Sequence, residues 1–84
     1  MAPVIARGYT GLEAEQARAF RLLSASANPF LSLAESAALL GRPLPRAEDL
    51  LEGLIDAGLL MTAGPAHYHV PVLSRLFART LGAP

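Results

Sequence analysis

Apolar residues recur at helical spacing in four stretches of this chain and at strand spacing in one. In the first stretch Ala17, Phe20 and Leu23 form an inward stripe, flanked by Ala19 and Leu22, over a helix expected to run to about Ala27. Thr10-Gly-Leu-Glu13 before it has the spacing of a capping box, in which hydroxyl and carboxylate satisfy each other's backbone amides. Glu15 and Arg18 are expected to pair across one turn on the outer side. Asn28-Pro29 signals a turn, and Phe30-Leu31 a very short strand. Ser32-Leu-Ala-Glu35 is a second capping box, opening a short helix with Leu33, Ala37 and Leu40 on one face and Gly41 at its end.

The segment Arg42-Pro43-Leu44-Pro45 is too rich in proline to be helical throughout, and Pro45 suits the first position of a third helix. That helix is expected to bury Leu50, Leu51, Leu54 and Ile55 and to stop near Gly58. Leu59-Leu-Met-Thr62 then reads as a strand, Ala63-Gly-Pro-Ala66 as a turn and His67-Tyr-His-Val70 as the returning strand. Alternation puts Tyr68 and Val70 on one face and His67 and His69 on the other. Pro71 leads into a last helix over about 72–81, with an apolar stripe of Leu73, Leu76, Phe77 and Leu81. Phe20, Leu23, Leu54, Ile55, Tyr68, Leu76 and Phe77 are the expected core. The fold class expected is mostly α with a small β hairpin, a winged helix-turn-helix. Its parts are a three-helix core, a two- to three-stranded wing and a C-terminal helix. Residues 1–9 read as a tail or a linker, 10–81 as the winged-helix domain and 82–84 as a tail.

Composition narrows the chemistry. Eighty-four residues make one small domain with a modest core. Seven basic residues, all arginine, balance seven acids, and 52% of the chain is hydrophobic, which favours association over solubility. Without lysine there is no phosphate-loop lysine, Schiff-base lysine or lysine general base, and without cysteine no disulfide, thiolate nucleophile or Cys-ligated zinc. No serine sits in a nucleophile elbow and no glycine-rich loop precedes a helix, so no enzyme and no cofactor is expected. The beginning of the chain has no signal-peptide pattern and no stretch approaches a membrane span, so the expectation is cytoplasmic, with no membrane partner.

The third helix carries the informative charge. After Arg46 come Glu48, Asp49, Glu52 and Asp56 with no further cation. A helix reading the DNA major groove needs Arg or Lys for phosphates and Arg, Asn or Gln for base edges. Four carboxylates are repelled by both strands. The same spacing could hold an acid/base pair or a metal, but a solvated outer helix face accounts for it. Arg42 and Arg46 flank the turn before this helix and, with His67 and His69 on the wing, are the candidate DNA contacts. Against that stands intramolecular pairing of Arg46 with Asp49 or Glu52. Arg75 and Arg79 lie one turn apart on the last helix. His67 and His69 also have a spacing a metal could use, but no third ligand lies beside them, so no metal site is assigned. Leu44, Leu59, Met61 and Val72, at the turn and the wing, are the candidate docking surface.

With this order in place the residues resemble one particular winged helix. It is the domain following the NB-ARC ATPase core in bacterial STAND regulators, especially the AfsR-like antibiotic-regulatory transcription regulators. The resemblance lies in Tyr9-Thr-Gly-Leu12, Gln16-Ala-Arg-Ala-Phe-Arg-Leu-Leu-Ser24, Ala37-Ala-Leu-Leu-Gly41, Ala47 to Leu60 and Tyr68 to Arg79. It implies a non-enzymatic domain that packs on a nucleotide-binding core and helps to hold its ADP-bound state. In such domains a Met-His-Asp motif after the hairpin brings a histidine to the diphosphate. Val70-Pro71-Val72 stands there in this chain, and proline has neither imidazole nor backbone donor, so that contact does not carry over.

The function expected is therefore protein–protein docking or dimerisation in transcriptional regulation. The partner is another protein domain or a second copy of the chain. A stand-alone DNA-binding winged helix is the alternative, disfavoured by the acidic third helix.

Overall fold

The computed structural model describes residues 7–81. A helical turn over 7–10 precedes α1 (Ala14–Ala25), β1 (Phe30–Ser32), α2 (Leu33–Leu40), α3 (Leu44–Asp56), β2 (Met61–Thr62), β3 (His67–His69) and α4 (Val72–Thr80). Helices α2 and α3 pack on each other and on α1, and α4 covers another side of α1. The strands form one antiparallel sheet in the order β1-β3-β2. The molecule is thus mostly helical with a small three-stranded sheet, an order compatible with a winged helix.

Local chemistry explains most of the boundaries. Ser32 and Glu35 form the expected capping box: Ser32 Oγ accepts from the Glu35 amide at 3.0 Å, and Glu35 Oε1 accepts from the Ser32 amide at 2.8 Å. Gly41 closes α2 in the left-handed region, at φ 65°. The first capping box falls three residues later than Thr10–Glu13. Glu13 is the N-cap of α1 and Gln16 reaches back to it, while the Thr10 hydroxyl donates to the Arg7 carbonyl. Pro43 caps α3, which puts Leu44 first and Pro45 second.

The core joins Phe20 and Leu23 of α1, Leu31 of β1, Leu40 of α2, and Leu50, Leu51 and Leu54 of α3 to Tyr68 and Val70. Ile55 packs at its edge. Residues 7–9, grouped with the tail from sequence, are helical; residues 1–6 and 82–84 lie outside the described residues. Tyr9 packs against Phe20 and Phe77, at ring-centroid distances of 5.6 Å to each.

Two expected faces are displaced. Leu59 and Leu60 are buried in the core, and the strand they were expected to begin is reduced to Met61–Thr62. In α4, Ser74 is buried while Leu73 and Leu76 are exposed, and Phe77, Ala78 and Leu81 pack on the core. Positions 74, 77, 78 and 81 follow helical spacing as well as the longer side chains do. Small residues at 74 and 78 let α4 approach α1 closely while Phe77 enters the aromatic cluster.

Candidate interaction surfaces

Helix α3 presents Glu48, Asp49, Glu52 and Asp56 to solvent while its opposite face supplies the core. The turn leading into it carries Arg42, and its first turn Arg46. Both converge on Glu15 of α1: Arg42 Nε donates to Oε2 and Arg46 Nη2 to Oε1, each at 2.6 Å. Hydrogen bonds from Arg46 and Arg42 hold the Glu15 carboxyl at about 2, well below the ordinary carboxylate value. The Glu15 carboxylate in turn raises Arg46 further above its ordinary value.

This geometry changes three pairings anticipated from sequence. Glu15 bonds to Arg42 and Arg46 rather than Arg18, whose Nη1 instead donates to the Leu40 carbonyl at 3.4 Å, at the end of α2. Arg46 takes Glu15 rather than Asp49 or Glu52. A cation at the C-terminus of a helix is favoured by its dipole, which gives Arg18 its own anchor.

The wing is short and carries no lysine or arginine between Leu59 and Pro71. Ala66 there adopts φ 55°, and Gly64 φ 120°, which tighten the turn into β3. His67 and His69 share the outer face of β3, as alternation predicted, with Tyr68 inward. They point to separate partners: His67 Nδ1 lies 2.8 Å from the Pro65 carbonyl, and the His69 ring stacks on Phe30 at 4.5 Å. Among the described residues no group of three or more His, Cys, Asp or Glu is placed to hold a metal.

Of the four candidate docking residues, Leu44, Met61 and Val72 are exposed, with Val72 at 65%. Leu59 is not: it is fully buried and belongs to the core. Four further apolar side chains are open: Phe30 on β1, Leu39 on α2, and Leu73 and Leu76 on α4. Phe30 pairs with His69, and His69 with Met61, so these three make one row across the outer face of the sheet. The signal for Phe30 was its alternation with the buried Leu31. Leu73 and Leu76 join Val72 on α4 because Ser74 takes the inward position. Burial also raises the Tyr68 phenol, with Glu48 and Glu52 adding to the shift, so the acidic fringe of α3 extends its field towards β3.

No helix among the described residues is long and apolar enough to cross a membrane. No protein-family model and no solved structure matches the chain. The chain is similar to Regulatory protein AfsR of Streptomyces coelicolor, at 51% identity over 72 residues. It is similar to Regulatory protein AfsR of Streptomyces griseus at 50% over the same length. Each match takes in 86% of this chain and 7% of the relative, so the chain spans a small segment of those proteins. Identity of this order across most of the folded residues bears out the resemblance read from the sequence, and the chain is an AfsR-like regulator domain.

Proposed function

We propose that this chain is a winged-helix domain of a transcription regulator that works by docking on protein rather than by reading DNA. The observation that carries the proposal is the commitment of Arg42 and Arg46 to one internal carboxylate, beside a third helix whose outer face is acidic. A groove-reading helix brings cations to two phosphate strands. Here the cations at the helix start are neutralised in part by Glu15, and the wing adds none.

The exposed apolar side chains offered for docking are Met61 and Phe30, which flank His69 on the sheet, Val72, Leu73 and Leu76 on α4, and Leu44 at the start of α3. Likeness to a small segment of much longer regulatory proteins supports a role beside a larger regulatory body, an NB-ARC-type core being the partner the resemblance implies. Pro71 caps α4 at the place of the diphosphate-contacting histidine, so docking here runs without that nucleotide contact. The second reading, a DNA-binding winged helix, draws on the half-open side chains of Arg42 and Arg46, 39% and 45% exposed.

Self-association is the form of docking that needs no other partner, and light scattering measures it. A mass rising with concentration above the 8.8 kDa of one chain, and restored to one chain by Val72→Asp or Met61→Asp, supports docking through this surface. A single-chain mass throughout, joined to Arg46-dependent binding of duplex DNA, overturns it.

A further inference from the structure

Arg42, in the turn before α3, and Arg46, in its first turn, reach opposite oxygens of the same Glu15 carboxylate. Two guanidinium groups converging on one oxygen-rich anion form the donor set that also receives phosphate, through charge-assisted hydrogen bonds. Glu15 arrives from a different helix, 27 residues from Arg42 and 31 from Arg46 in sequence. All three side chains keep contact with solvent, so an external anion can reach the guanidinium groups. The packing of α1 on α3 has a separate basis: the Gln16 side chain lies against Gly53, and buried leucines close the interface beneath.

We propose that Arg42 and Arg46 form a phosphate-binding site that Glu15 fills from within, so that the domain takes a phosphate group only when this carboxylate gives way. A phosphate offers more oxygens and more charge than a carboxylate, and so competes for the same two donors. The site goes beyond the docking reading, which concerns the apolar surface. It adds a control: an exposed anion site created by release of one side chain.

Inorganic phosphate and a labelled DNA duplex are the two probes, applied to the unaltered domain, Glu15→Gln and Glu15→Ala, each checked for native helix content by circular dichroism. If Glu15 holds the site nine-tenths of the time or more, its removal tightens phosphate binding by about tenfold or more. Adding Arg46→Ala then removes the gain. In the unaltered domain the Arg42 Nε–H nuclear magnetic resonance signal gives a readout that needs no substitution: it moves at high phosphate concentration. Phosphate binding no tighter in either Glu15 variant, a gain that survives Arg46→Ala, or an Arg42 signal fixed at saturating phosphate overturns the site. A response to inorganic phosphate alone marks a compact phosphate group as the ligand, and duplex binding confined to the Glu15 variants marks the DNA backbone. Arg46-dependent duplex binding by the unaltered domain overturns both this control and the docking reading, whereas failure of the Glu15 variants alone leaves docking standing.

Discussion

At the scale of single residues, Glu15 decides how the charge of the domain is presented. Its carboxyl is lowered from the ordinary 4.5 to about 2 by Arg46 and Arg42. The unfolded chain therefore takes up this proton at higher pH than the folded one. The stability linked to Glu15 is complete above about 4.5, declines as pH falls through that window, and is gone below about 2. Urea unfolding of the unaltered domain and Glu15→Gln should differ at neutral pH and converge towards pH 2; a constant gap would separate Glu15 from the acid dependence. The pairing was not legible in the sequence. Arg18 stands three residues away and satisfies the local rule, while the true partners are brought in by the packing of α1 against α3. Ser32 and Glu35 were legible because both bonds close within one turn. Ser32→Ala should cost about 1 kcal/mol in chemical unfolding, the usual worth of such a cap.

At the scale of elements, the register of α4 is where pattern and packing diverge. Hydrophobicity alone favours Leu73 and Leu76 as core, yet the close approach to α1 selects Ser74. The two registers predict opposite mutational responses. Leu76→Ser should change stability by no more than about 0.5 kcal/mol, as surface substitutions do. Ser74→Leu should cost about 1–3 kcal/mol by overpacking. Thermal or urea unfolding of the pair distinguishes them, and a larger loss for Leu76→Ser would restore the pattern-based face. The helical turn over 7–10 depends on similar proximity. A Cβ at Gly8 would run into the carbonyl oxygen of Ala57 at the end of α3. Gly8→Ala should therefore cost about 1–3 kcal/mol, although alanine favours helix, and an unfolding midpoint equal to or above that of the unaltered domain would contradict the contact. The four helices from residue 14 onwards, their order with the strands and the alternation in β3 were readable because they repeat along the chain; the helical turn over 7–10 was not. Which face of a short helix turns inward depends on the depth of the groove it meets.

At the scale of the whole molecule, two surfaces of different character share one small fold. The α3 side is fringed by Glu48, Asp49, Glu52 and Asp56, with its neighbouring arginines tied to Glu15. The sheet and α4 expose the apolar row and stripe. The acidic fringe was fully legible in the sequence, since four carboxylates at helical spacing declare a solvated face wherever the helix packs. The apolar surface was legible only in part: Leu44, Met61 and Val72 stand open, but Leu59 is consumed by the core. A domain of this charge gains little from phosphate neutralisation, because counterion release scales with the cations that reach the backbone. The affinity of the unaltered domain for duplex DNA, followed by fluorescence anisotropy as salt is raised, reads that number directly. Binding no tighter than about 100 μM at about 0.15 M salt, unaffected by Arg46→Ala, is the expected outcome. Binding below about 1 μM that weakens steeply with salt and is lost in Arg46→Ala would contradict the account.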